Sequence, residues 1–172
     1  MGKIVKYCLD TNVFLESFKR YYSFSIAPPF WDALVDWGNQ GTVQSLNIVY
    51  DELVKGDQDE LVDWVKNTGR SIFQEPDIST YDEYTKIADL VVRDYEPHVV
   101  EPFLKGADPW VIAHAKANNY TVITLEGFRQ EQRNPSGHFG CRKVAIPNIC
   151  KKIGVSVTDT FQFLSNIGFS FH

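Results

Sequence analysis

Hydrophobic positions along the chain switch repeatedly between two spacings. Ile4 to Leu9 is a nearly unbroken run of apolar and β-favouring residues, as expected of a strand buried on both faces. After Asn12 the spacing of Val13, Phe14 and Phe18 predicts a short helix. Pro28 and Pro29 suit a first helical turn. Phe30, Leu34 and Trp37 come next at helical spacing, and Gly38 and Gly41 are expected to end that helix. Thr42 to Leu46 reads as a short strand or a connection. Ile48, Val49, Glu52 and Leu53 share one helical face, Leu61, Val62 and Val65 form a further stripe that stops at Gly69, and Ser71 to Phe73 is a candidate short strand.

The clearest helix is predicted to start near Thr80, where Thr80 and Glu83 have capping-box spacing. Tyr84, Ile87, Ala88, Val91, Val92 and Tyr95 form its stripe, and Pro97 and Pro102 are expected to break the chain after it. Gly106-Ala107-Asp108-Pro109 predicts a new helix, with Asp108 as N-cap and Pro109 in the first helical position. It runs to about Asn119. Thr121 to Leu125 repeats the buried-strand pattern and ends on Glu126. Residues 127 to 143 read as a long polar loop, a length that is usually functional. Lys143 to Pro147 leads into a helix at about 148 to 153. A last helix, capped by Thr158, carries Phe161, Leu164 and Ile167, with Gly168 at its end.

Strands alternating with helices imply an α/β layer fold with a parallel sheet. The 172 residues suit a single domain over 1–172, with no internal repeat or linker. The composition, 44% hydrophobic and 14% aromatic, is that of a folded chain, not a disordered one. No run is long enough to cross a bilayer, and the start lacks a secretory signal. A cytoplasmic protein with no membrane association is therefore expected. Cys8, Cys141 and Cys150 are an odd number without paired metal spacing, and read as free thiols. His138 with Cys141 makes too few ligands for zinc.

The formal charge of −5 argues against a protein that coats nucleic acid. It does not argue against a nuclease, because metal-binding acids make net charge a poor guide. Its distribution is more informative. Asp51 to Asp63 holds six acids and one lysine, whereas Gly127 to Lys143 holds four Arg or Lys and one acid.

Most of the 22 acids suit a solvated surface, including Asp57, Asp59, Glu60 and Asp63. Four others interrupt the apolar pattern. Asp10 and Glu126 each end a buried-type strand, and parallel strands would bring both to one edge of the sheet, where ligands of open α/β sheets bind. Asp108 starts the stripe of Val111, Ile112 and Ala115, and Glu52 shares a face with Ile48, Val49 and Leu53. Singly, each has a structural reading: Asp108 as an N-cap, Asp10 closing an Asx-turn, Glu52 and Glu126 as charges at element ends. Together they would repel, since two like charges about 4 Å apart cost about 4 kcal/mol at an effective dielectric of about 20. Such a cluster takes up protons, spreads apart or binds a cation. All-oxygen carboxylate ligands suit Mg²⁺ or Mn²⁺. Asn12 and Thr124 lie beside the cluster, where Asn12 would orient Asp10 or a water, or serve as an N-cap.

Leu9-Asp10-Thr11-Asn12, Glu52-Leu53, Ala107-Asp108-Pro109-Trp110-Val111-Ile112-Ala113-His114-Ala115 and Val122-Ile123-Thr124-Leu125-Glu126 together resemble the PIN-domain nucleases in order and approximate spacing. Lys143-Val144-Ala145-Ile146-Pro147-Asn148-Ile149-Cys150 looks like the ending of a bacterial PIN-like toxin subgroup known as a domain of unknown function. The resemblance implies a three-layer αβα sandwich with a central, mainly parallel sheet, and Mg²⁺- or Mn²⁺-dependent cleavage of RNA. Asp10, Glu52, Asp108 and Glu126 take the four acidic positions as catalytic and metal-binding residues. The fourth is commonly Asp in the family, so Glu126 is a departure. Asp10 and Asp108 would be the main anchors, with Glu52 completing or orienting the site. A bound ion would polarise a phosphate oxygen and lower the pKa of a water, for in-line attack leaving a 5′-phosphate and a 3′-hydroxyl. Many relatives are toxins with a cognate antitoxin, and many form homodimers, so both are expected partners besides RNA.

Asn12, Thr124, Arg129 and Arg133 are the candidate substrate-binding residues, with Arg142 and Lys143 as further phosphate contacts from the loop. His114 lies six positions after Asp108 and is expected to pack, not to react. Two rival readings remain. A haloacid-dehalogenase-like phosphatase also starts with Asp after its first strand, but needs a second Asp where Asn12 stands. A PIN-like scaffold would bind RNA or protein without cutting.

Overall fold

Tyr7–Leu9 forms β1, a strand of three residues buried without exception. The computed structural model describes residues 5–171, so the expected strand start at Ile4 lies outside the described residues. α1 (Thr11–Glu16) begins at once and continues into a π-helical turn at Ser17–Tyr21. α2 (Pro28–Asn39) begins on its two prolines, whose fixed φ suits a first turn. β2 (Val43–Leu46), α3 (Asn47–Val54) and α4 (Asp59–Asn67) come next. A 3₁₀ turn at Arg70–Ile72 leads into β3 (Phe73–Gln74), so the candidate strand at 71–73 is mostly that turn.

Gly38 does not end α2 but lies within it. A Cβ built there would sit 2.8 Å from Ile72 Cγ1, so the glycine lets α2 press against the turn before β3.

The second half holds α5 (Ile78–Asp94), α6 (Pro97–Lys105), α7 (Asp108–Asn118) and β4 (Thr121–Ile123). Four expectations are corrected in this half. α5 starts one turn early, because Asp77 and not Thr80 is its N-cap: Asp77 Oδ1 accepts from both the Thr80 amide and the Thr80 hydroxyl at 2.7 Å. Pro97 opens α6 instead of breaking the chain, and Pro102 is held inside it. Asp108 is the first residue of α7, not its cap. Ala107 takes the cap position, and no side chain of that residue closes the turn. Val92 also leaves the expected stripe, at 59% exposure.

Within the long polar segment, β5 (Gln132–Arg133) and β6 (Phe139–Gly140) make an antiparallel hairpin. α8 (Ile146–Ile153), β7 (Val157–Thr158) and α9 (Thr160–Asn166) complete the described elements. Thr158 belongs to β7, so the cap of α9 is Asp159, whose side chain accepts from the Gln162 amide at 2.7 Å. Phe163, not Phe161, is buried from that helix.

The main sheet runs β3-β2-β1-β4-β7, and every pairing is parallel. The chain moves in one direction from β1 to β3, carrying α1 to α4, and in the other from β1 to β7, carrying α5 to α8. Right-handed crossovers put these two sets on opposite faces, giving the αβα sandwich. α7 packs against β1 and β4 and is covered by α5 and α8. Six of its residues are buried as a result, including His114. His114 contacts Thr80 and Asn118 through Nδ1 and Gln44 through Nε2, and burial lowers its pKa. It packs, as expected. No helix among the described residues is long and apolar enough to cross a membrane.

Candidate functional site

β1 and β4 are neighbours in register, with Leu9 opposite Ile123. The next residues, Asp10 and Thr124, therefore leave the sheet together at its carboxyl edge. The Asp10 amide still donates to the Ile123 carbonyl at 3.1 Å. Behind it, the Ser45 hydroxyl donates to the Leu9 carbonyl at 2.8 Å, tying β2 to the peptide that carries Asp10. Asp10 is fully buried. Its Oδ2 accepts from the Thr124 hydroxyl at 3.0 Å, while Oδ1 is a buried acceptor with no donor among the described residues.

Asp108 reaches the same edge from the first turn of α7. Its position is set from a distance of 55 residues in sequence. Glu52 Oε1, on α3, accepts the Ala107 amide at 2.8 Å. Glu52 Oε2 accepts from the Thr11 hydroxyl at 2.6 Å. One carboxylate thus fastens the start of α7 to the start of α1. A negative charge at a helix N-terminus is favourable in itself.

Glu126 lies three residues beyond β4. Its Oε2 accepts the Ile146 amide at 3.0 Å, at the first turn of α8, and its own amide donates to Thr124 Oγ1 at 3.1 Å. Its Oε1 forms a close ion pair with the Lys143 ammonium, which also lies 3.8 Å from Asp108 Oδ2. The structure therefore gathers Asp10, Asp108 and Glu126 around the end of β1 and β4, with Glu52 beside Asp108.

The electrostatics agree with that gathering. Burial pushes the Asp10 carboxyl up to about 8. The charges of Asp108 and Glu126 add to this, and the Thr124 hydrogen bond opposes it. Burial and then Glu126 push Asp108 up to about 6, with Lys143 opposing and Glu52 adding. Lys143 is raised as well. Burial disfavours its charge, but the carboxylates of Glu126, Asp108 and Asp10 outweigh burial.

The donor chemistry fits a hard divalent ion: carboxylate oxygens only, one of them a buried acceptor lacking a donor among the described residues. Among those residues, however, no three His, Cys, Asp or Glu side chains already surround one point. The cation found between the acids is the ammonium of Lys143. Asp10 Oδ1 and the Asp108 carboxylate are the most available donors. Glu52 and Glu126 each already hold a backbone amide.

The other expected residues fall in different places. Thr124 bridges Asp10 and Glu126 and so orients acids. Asn12 is half-buried at the second position of α1. Arg129 is pinned through its backbone, with its amide and carbonyl bonded to the buried Asn148 side chain at 2.9 and 2.7 Å. Arg133 lies over the Phe139 ring and 3.9 Å from Asp94. Arg142 and Lys143, by contrast, line a cavity of 200 Å³ that includes Asp108, His98 and Phe103. Thr11, Ser45 and Asn148 carry positioning contacts that no local pattern in the sequence marks.

An all-parallel sheet of five strands flanked by helices makes this an α/β protein, PIN-like in fold. The chain belongs to the family described as a domain of unknown function (DUF4411), whose model matches residues 7–171. No functionally curated protein matches the sequence. Solved structures that share the fold include two protein–DNA complexes. One is VapBC2 from Rickettsia felis bound to a DNA fragment from their promoter, with a TM-score of 0.51 and 15% identity. The other is DNA-bound VapBC from Salmonella typhimurium, with a TM-score of 0.53 and 14% identity. Each similarity covers 90% of this chain and 98% of the other.

Proposed function

We propose that this chain is a Mg²⁺- or Mn²⁺-dependent endoribonuclease of PIN type, acting as the cytoplasmic toxin of a toxin–antitoxin pair. The observation that carries this reading is the placement of Asp10, Asp108 and Glu126 at one edge of the sheet, close enough to act on one another electrostatically, with Asp10 Oδ1 buried and without a donor among the described residues. A fully buried acid without a partner on one oxygen is expensive to ionise. The carboxylates would hold a divalent cation, whose charge would offset that expense.

Asp10 and Asp108 would hold the ion, with Glu126 as a third donor, direct or through water. When bound, the ion supplies Lewis-acid activation of water and of a phosphate oxygen. Thr124 keeps Asp10 Oδ2 occupied, which leaves Oδ1 as the oxygen free to take an ion. Glu52 holds the first turn of α7, and with it Asp108, at a fixed place relative to α1. Arg142 and Lys143, which line the cavity beside Asp108, would meet phosphate there, as an acidic site needs to admit RNA. The likeness to VapBC, in which the solved complexes are DNA-bound, supports a partnered protein, and a cognate antitoxin or a second copy of this chain are the partners proposed.

One observation favours a second reading, a scaffold that binds RNA without cutting: the acids are already partly neutralised by Lys143. Cleavage of a labelled RNA pool decides between them. Cleavage that needs Mg²⁺ or Mn²⁺ and is lost in D10N and D108N is expected. RNA binding without cleavage, or cleavage indifferent to chelator and to both substitutions, would overturn the nuclease reading.

A further inference from the structure

Among the described residues, Lys143 is the one that touches the acid cluster with an opposite charge. It lies at the end of the segment joining Glu126 to α8, and two acids meet its ammonium: Glu126 Oε1 in close contact and Asp108 Oδ2 at 3.8 Å. Glu126 is otherwise anchored, its Oε2 being held by the Ile146 amide at 3.0 Å. It therefore offers Lys143 a fixed oxygen.

We infer that the Lys143 ammonium is a built-in cation that holds Asp108 and Glu126 together until a divalent ion displaces it. The inference rests on reading the carboxylates as a metal site. Two observations separate it from an ordinary surface ion pair. First, one ammonium meets two carboxylates at once, and both are largely covered, at 23% exposure for Asp108 and 9% for Glu126. Lys143 and a metal ion would compete for the same oxygens. Second, the lysine has somewhere to go. Its side chain is 45% exposed and lines the cavity beside Asp108 together with Arg142. A four-carbon stem can swing the ammonium into that cavity while the backbone stays in place. There it joins a second cation at a place suited to phosphate, so that metal entry would free a substrate contact.

Charge balance favours the exchange. One ammonium leaves the acids undercompensated, and a divalent ion adds a further unit of charge while bonding Asp10 Oδ1, an oxygen that the Lys143 ammonium does not contact.

Two measurements test this. In calorimetric titration with Mn²⁺, K143M is expected to bind about tenfold more tightly than the wild type, because no ammonium must be expelled. K143R, which keeps the charge, should stay near wild type. Binding by K143M but not by wild type also supports the inference. Equal or weaker binding by K143M, with wild type binding and D10N not, overturns it and leaves the metal reading intact. No binding by any of the proteins overturns both. The second measurement needs no variant. Wild-type protein is acetylated briefly with an N-hydroxysuccinimide ester, and Lys143 modification is read by mass spectrometry with and without Mn²⁺. Faster modification of Lys143 with Mn²⁺ is expected. An unchanged rate at a saturating Mn²⁺ concentration overturns the inference.

Discussion

The Thr124 hydroxyl donates to Asp10 Oδ2 at 3.0 Å across the carboxyl ends of two neighbouring parallel strands. Thr124 Oγ1 in turn accepts the Glu126 amide at 3.1 Å. Thr124 thus fixes the orientation of one acid and the backbone of another, and it favours the charged form of Asp10. Replacing it with Val keeps the shape and removes the donor. T124V is expected to weaken Mn²⁺ binding by about tenfold, the lower end of the range for groups that orient metal ligands. Calorimetry measures it. An unchanged affinity would mean that Asp10 is oriented by its strand alone.

The raised carboxyls give metal-free protein an unusual pH dependence. Asp10 moves from 3.8 to about 8 and Asp108 from 3.8 to about 6 on folding. Between those values the folded chain holds protons that the unfolded chain releases, so stability falls as pH rises. It is greatest near pH 4 and lowest above pH 8, a difference of about a few kcal/mol. Asp77 and Asp94, whose carboxyls are lowered by Thr80 and by Arg93, act in the opposite sense at lower pH, and His114, lowered by burial, opposes the decline below about pH 6.5 without reversing the effect of two raised carboxyls. Urea unfolding in chelator from pH 5 to 8.5 should show this decline. D10N should flatten it. Saturating Mn²⁺ should remove it, because ligands must lose their protons to bind metal.

Glu52 is expected to act on stability as much as on chemistry. E52A leaves the Ala107 amide and the Thr11 hydroxyl without their acceptor. Unsatisfied groups of this kind lower stability by about 1–3 kcal/mol, read by urea unfolding. E52Q keeps one carbonyl oxygen and should recover part of it. Equal stability of E52A and wild type would refute the fastening of α7 to α1.

The elements that position the site were legible because their sequence patterns are local. β1 and β4 are buried on both faces, so their residues are apolar in runs, and an acid ending such a run stands out. α7 was visible for the same reason. Contacts that cross the fold were not. Asp108 has every local mark of an N-cap, yet Glu52 supplies the acceptor from 55 residues away and Asp108 becomes the first helical residue. Asp77 and Thr80 are spaced like Thr80 and Glu83, so a capping pattern alone did not choose between two starts one turn apart. Pro102 reads as a breaker in sequence, but it is exposed on α6 and leaves the buried face of Val99, Val100 and Phe103 intact. β3 and β7 are two residues long and lie at the sheet's edges, too short for a periodic signal. The pairing of Lys143 with Glu126 and Asp108 joins a loop to a strand end and a helix start, which spacing does not encode.

Acids at the ends of β1 and β4 and at the start of α7 are proposed to hold one divalent ion. Anomalous diffraction from crystals grown with Mn²⁺ tests this most directly. The expected result is a single strong peak within bonding distance of Asp10 Oδ1 and the Asp108 carboxylate, with Lys143 withdrawn from between Asp108 and Glu126. No peak at that place, with Lys143 still bridging the two acids at saturating Mn²⁺, would contradict it.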